Sequence, residues 1–124
     1  MPKRILIVDD EDDIREVATM SLEVIGGYEV RTASSGAEAL ELAAADPPDA
    51  ILLDVMMPGM DGPTTFRRLQ EAEGTAAIPV VLLTAKVQSA DRRIFEDLGV
   101  AAVLTKPFDP MQLAAQLADA LGWT

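Results

Sequence analysis

The 124-residue chain is long enough for one hydrophobic core and too short for two, and although 49% of it is hydrophobic, it has no apolar run approaching the roughly 18 residues of a membrane-spanning helix. It contains no cysteine and no histidine, which excludes disulfides, thiolate metal sites, zinc-hydrolase chemistry and histidine-based triads, and leaves carboxylates, lysine, arginine and hydroxyls to carry any reaction. A formal net charge of −11 favours solubility and opposes direct contact with a nucleic acid backbone.

The chain opens with the small basic segment Met1-Pro2-Lys3-Arg4, but the apolar run behind it is too short and meets Asp9 too soon for a signal peptide, so the cytoplasm is the expected compartment. Arg4 to Val8 reads as the first strand and the acidic run Asp9 to Asp13 as its exit. Asp13 is the expected N-cap of the first helix, with Glu16 completing a capping box. Ile14, Val17, Ala18, Leu22 and Ile25 fall on one face of that helix, and Gly26-Gly27 ends it. Tyr28 to Thr32 is a more polar strand, suited to a sheet edge. Ser35 and Glu38 form a second capping box, for a helix whose small stripe of Ala37, Leu40 and Ala44 predicts close packing and which runs to about Ala45, before Pro47-Pro48.

Ala50 to Asp54 is a central strand, an apolar run buried on both faces that ends in a carboxylate. The loop after it carries Pro58, Gly59 and Gly62. Pro63 stands where a first-turn proline is tolerated, and Phe66 and Leu69 anchor a third helix ending near Gly74. Ile78-Pro79 leads, extended, into a fourth strand from Val80 to Thr84. Ala85 to Arg93 is polar at first and then gains Ile94, Phe95 and Leu98, a short helix closed by Gly99. Val100 to Thr105 is the fifth strand. Asp109 as N-cap, Pro110 at the first helical position and Gln112 as box partner start a last helix carried by Leu113, Leu117 and Leu121.

Strand and helix alternate five times with short connections, the pattern of a single α/β domain over residues 1–124, with a parallel sheet covered on both faces. Asp9, Asp10, Asp54, Thr84 and Lys106 all fall at or just past the carboxyl ends of strands. A doubly wound sheet of order 2-1-3-4-5 would bring them to one crevice. Three carboxylates there repel one another, and a divalent cation removes the conflict. With only hard oxygen donors available, Mg²⁺ is the expected ion, Mn²⁺ being possible. Asp54 could then be ligand or nucleophile. A carboxylate that attacks a phosphoryl group becomes an acyl phosphate, for which Lys106 supplies a mobile charge and Thr84, beside the Ala85 backbone N–H, a hydroxyl donor.

Asp9-Asp10, the run Leu53-Asp54-Val55-Met56-Met57-Pro58-Gly59-Met60-Asp61-Gly62, Thr84-Ala85 and Lys106-Pro107-Phe108 together resemble the receiver domain of two-component response regulators, a flavodoxin-like fold of the chemotaxis-regulator type. The resemblance covers essentially the whole chain and rests on four separated motifs in the correct order. It implies Asp54 as phosphoacceptor and Asp9, Asp10, Asp54 and the Met56 carbonyl as metal ligands. It further implies roles at the phosphoryl group for Lys106, Thr84 and the Ala85 N–H, a cis Lys106-Pro107 bond, and positions flanking the hydrolytic water for Met56 and Lys86. The phosphodonor would be a sensor histidine kinase or histidine phosphotransfer protein. The domain would be an autocatalytic acceptor and slow self-phosphatase, a usage that straddles the definition of an enzyme. Its output would be altered contact with a downstream protein, as a monomer or weak dimer.

One position departs from the family pattern. An aromatic residue is usual on the fifth strand three residues before the lysine, and this chain has Val103, which has no ring to swing between exposed and buried rotamers. Any relay must then use smaller shifts of backbone and Thr84. That departure motivates a second reading, an interaction module of the same fold that works unphosphorylated. A nucleotide-binding enzyme is a third, which the lack of a glycine-rich loop after Val8 opposes.

Overall fold

The computed structural model describes residues 2–85 and 89–123. Strands β1 (Arg4–Val8), β2 (Glu29–Ala33), β3 (Ala50–Asp54), β4 (Val80–Thr84) and β5 (Ala102–Thr105) form one parallel sheet in the order β2-β1-β3-β4-β5. Between and after them run α1 (Asp12–Met20), α2 (Gly36–Ala45), α3 (Gly62–Glu71), α4 (Ser89–Glu96) and α5 (Leu113–Leu121). The doubly wound 2-1-3-4-5 topology expected from the alternation of elements is the one observed. No helix among the described residues is long and apolar enough to cross a membrane.

Successive residues of a strand point to opposite faces, so the continuous apolar runs of β1, β3 and β4 feed two separate cores. Leu6, Val8, Ile51, Leu53 and Leu82 pack with Ala39 and Ala43 of α2 and Phe66 and Leu69 of α3. Ile5, Ile7, Leu52, Val81 and Leu83 pack with Ala18 of α1, with Leu22, and with Leu113, Ala114 and Leu117 of α5. Burying each of these large side chains contributes about 1.5–3 kcal/mol. Val103 of β5 is buried in the first core, and Phe108 packs, half-buried, against the second.

Several element boundaries differ from the sequence expectation, each for a local reason. Asp13 is not the N-cap of α1: the helix begins at Asp12 behind Glu11, which makes no side-chain cap. The turn closes early because the Asp9 carboxylate accepts the Glu11 N–H at 2.9 Å. After Met20 the chain widens into a π-helical turn, Ser21–Ile25, which rotates later positions and carries Ile25 out of the buried face. Val17, a quarter turn off the buried stripe, is exposed as well, and with Met20, Val24 and Met111 these residues leave apolar surface open to solvent.

The Ser35 cap is present, accepting the Glu38 N–H at 3.1 Å, while Glu38 reaches back to the N–H of Ser34 at 2.6 Å. The stripe that α2 buries is Gly36, Ala39 and Ala43, however, with Ala37 and Ala44 exposed. α3 stops at Glu71, short of Gly74, where the Thr75 hydroxyl donates to the orphan Leu69 carbonyl at 2.7 Å. β2 and β5 start at Glu29 and Ala102, after Tyr28 and Val100, and Ile94 of α4 is exposed. Asp109 does bond forward, accepting the Met111 N–H at 2.9 Å, but α5 begins only at Leu113, behind Gln112, which makes no side-chain cap. The Pro110 carbonyl accepts from the Ser21 hydroxyl of the π turn, and residues 110–112 stay a turn.

Candidate functional site

The carboxyl ends of β1, β3, β4 and β5 converge as the strand order requires. The β1 ladder closes at Val8, paired with Ala33 on one side and Leu53 on the other. The Asp9 N–H still reaches the Ala33 carbonyl at 3.1 Å, so backbone pairing fixes Asp9 at the rim of the sheet. Asp54 is the last residue of β3, in register with Leu83, and the following Val55 N–H bonds the Leu83 carbonyl at 3.0 Å. Thr84 is in register with Thr105, and the Lys106 N–H continues that pairing to the Thr84 carbonyl at 2.8 Å. The Lys106-Pro107 bond is cis.

Asp9 and Asp54 are almost wholly buried, at 1% and 3% exposure, and Thr84 is fully buried, whereas Asp10 and Ala85 are exposed. One carboxylate oxygen from each of Asp9, Asp10 and Asp54 lies within 4.8 Å of the others. Lys106 Nζ stands 2.9 Å from Asp9 Oδ2, 3.1 Å from Asp54 Oδ1 and 3.6 Å from Glu11 Oε1. Burial first, and then the neighbouring Asp9 charge, push the Asp54 carboxyl up to about 6, against the opposing pull of Lys106 and of the Met56 backbone. Burial draws the Lys106 ammonium down, but its contacts with Asp9 and Asp54 outweigh that and hold it above the ordinary lysine value.

The donor set suits a hard divalent cation. All three groups are carboxylates, they converge from two strand ends, and the buried Asp9 Oδ2 has the Lys106 ammonium at 2.9 Å as its counter-charge. Lys106 Nζ stands among these carboxylates and Thr84 ends the neighbouring strand β4, so a cation and a hydroxyl-bearing residue share the carboxyl-end rim with Asp54. Met56, two residues after Asp54, has an exposed side chain. Lys86 lies outside the described residues.

Three neighbours were missed in the sequence. Glu11 faces Lys106, and Arg15 donates from Nη1 to the Asp9 carbonyl at 2.7 Å; both sit in a run that reads as helix cap and solvated face. Gly62 is the third. Its N–H bonds the Val55 carbonyl at 2.9 Å, and a Cβ there would come within 2.4 Å of the Asp54 carbonyl oxygen, so only glycine lets α3 start this close to the acidic strand end.

The family model of the response regulator receiver domain matches residues 5–118. Response regulator PleD of Caulobacter vibrioides is 48% identical over 119 residues, covering 94% of this chain and 26% of PleD. The alkaline phosphatase synthesis transcriptional regulatory protein PhoP of Bacillus subtilis is 40% identical over 117 residues, covering 94% of this chain and 48% of PhoP. The chain thus spans about a quarter of the one and about half of the other. Among solved structures, chemotaxis response regulator CheY4 of Vibrio cholerae matches with a TM-score of 0.90 at 31% identity, covering 97% of this chain and 99% of that one.

Proposed function

Since the chain belongs to the response regulator receiver family, and is thereby a phosphoacceptor switch of two-component signalling, we propose that residues 1–124 act as one receiver unit phosphorylated on Asp54 in a Mg²⁺-dependent reaction. One observation carries this assignment: Asp9, Asp10 and Asp54 present oxygens within 4.8 Å of one another while Lys106 Nζ stands 3.1 Å from Asp54 Oδ1. Asp9, Asp10, Asp54 and the Met56 carbonyl would hold the cation, whose contribution when bound is to neutralise charge on the carboxylates and phosphoryl oxygens.

The chain's own residues do the rest. An oxygen of the ionised Asp54 attacks the phosphorus of a partner's phosphohistidine, the P–N bond breaks with its electron pair leaving on the imidazole nitrogen, and an acyl phosphate forms on Asp54. Lys106 pairs with one phosphoryl oxygen, and the Thr84 hydroxyl and Ala85 N–H donate to others. Water attacking in line later returns the carboxylate and inorganic phosphate, with the exposed Met56 side chain flanking its path. The partners are a sensor histidine kinase or histidine phosphotransfer protein upstream and a protein target downstream, in the cytoplasm. The net charge of −11 speaks against direct contact with nucleic acid. The full acidic set supports phosphorylation over an interaction module that works without it.

The test is incubation with Mg²⁺ and acetyl phosphate followed by intact-mass measurement. A gain of one phosphate, absent in Asp54→Asn, is expected. No gain from either the small donor or a cognate kinase overturns the proposal.

A further inference from the structure

Asp10 is the exposed member of the acidic set, and among the described residues no hydrogen bond holds its side chain. Its position is inherited from the turn between β1 and α1, which the Asp9 carboxylate closes from within and Arg15 braces from α1. Arg15, on α1, folds back so that Nη1 donates to the Asp9 carbonyl at 2.7 Å, while Nη2 donates to the Asp12 carboxylate. The Asp9 carbonyl lies past the last ladder pair of β1. The guanidinium thus spans the turn from end to end, with Asp10 between its two anchors. Only 18% of the Arg15 side chain is exposed, against 89% of that of Asp12. The exposed ion pair contributes little, whereas a charge-assisted bond to a main-chain acceptor at the strand end fixes geometry, and the planar fork of arginine permits both at once.

We infer that Arg15 is a positioning residue for the cation site: it holds the turn bearing Asp9 and Asp10 in the arrangement a divalent ion needs, without touching the ion. This rests on the Mg²⁺-dependent assignment above. Charge alone makes the opposite prediction, which gives the idea a sign. A guanidinium beside three carboxylates weakens their attraction for a cation, so deleting it would tighten binding if Arg15 were merely a nearby charge. Deleting a positioning group loosens binding instead.

Calorimetric titration of the metal-free protein with Mg²⁺ separates the two, using wild type, Arg15→Ala and Arg15→Lys. Lysine keeps the charge and a donor on a stem one bond shorter, but not the planar fork that serves both anchors. The Mg²⁺ Kd is expected to rise about tenfold in Arg15→Ala, the low end for groups that orient metal ligands, and to fall between wild type and alanine in Arg15→Lys, whereas charge alone leaves lysine equal to wild type. An unchanged or lower Kd in Arg15→Ala, or a lysine variant equal to wild type, overturns the inference. Should Arg15→Ala fail to fold, Arg15→Lys decides alone: weaker binding than wild type supports the role, and equal or tighter binding overturns it. A wild type that binds no Mg²⁺ overturns this inference and the metal-dependent assignment together, whereas binding that ignores Arg15 overturns this inference only.

Discussion

Lys106 Nζ lies 3.1 Å from Oδ1 of Asp54, and from the same position it reaches Asp9 Oδ2 at 2.9 Å. One ammonium therefore ties together two buried carboxylates that would otherwise face each other unscreened. Lys106→Ala is expected to cost the metal-free protein about 2–3 kcal/mol, somewhat below the usual penalty for a broken buried pair because Asp54 can take up a proton instead. Saturating Mg²⁺ should then add more stability to the variant than to wild type, since the ion no longer competes with an internal cation. Urea unfolding with and without Mg²⁺ measures both effects, and equal increments would count against the competition.

The Asp54 carboxyl gives a pH dependence of defined sign. Burial and Asp9 raise it to about 6 in the folded protein from an ordinary value of 3.8, so the native state keeps this proton where the unfolded chain has released it. The stability linked to neutral Asp54 is fully present below about pH 4 and is lost as pH rises through 6, up to about 3 kcal/mol. Unfolding midpoints in EDTA at pH 4.5 and 7.5 should show a smaller loss for Asp54→Asn than for wild type. Identical pH profiles would mean that Asp54 does not carry the shift.

Gly62 offers a steric test of the same strand end. A Cβ there meets the Asp54 carbonyl oxygen at 2.4 Å and the Val55 Cα at 2.8 Å, both backbone atoms with no rotamer to yield. Gly62→Ala is expected to destabilise by about 1–3 kcal/mol and to slow phosphorylation by acetyl phosphate. Gly74→Ala, where the added carbon meets nothing within 4 Å, should leave that rate unaltered. A Gly62 variant as fast as wild type would show that the loop can move away without disturbing the acceptor.

The helix starts can be separated by alanine substitution. Ser35 caps α2 through the Glu38 N–H, and Ser35→Ala should lower stability by about 1 kcal/mol. Asp13 caps nothing in α1, and Asp13→Ala should stay within about 0.5 kcal/mol of wild type. Chemical denaturation of the pair distinguishes them directly.

The strands were legible because each buried run is bounded by turn residues, and the crevice because Asp9, Asp54, Thr84 and Lys106 share one relation to those runs: each stands where a strand ends. Parallel register then fixed their meeting. Illegible were features set by competition between side chains and backbone. Asp9 closes the β1–α1 turn early and displaces the expected cap at Asp13. Ser21 draws off the Pro110 carbonyl and delays α5, and a π turn rotates Ile25 into solvent. Each depends on a contact across the fold or on a backbone choice that hydrophobic period does not encode. Arg15 was invisible for the same cause, since its partner is a carbonyl, which every residue has.

Lys106 also bears on how the protein comes into being. Where metal ligands have no internal counter-ion, folding waits for the metal, and the chelated protein unravels. Here the counter-ion is part of the chain, carried just past the end of β5. The newly made polypeptide can therefore reach its mature shape whatever the supply of divalent ions, and chelation should leave a folded protein that has only lost its reactivity.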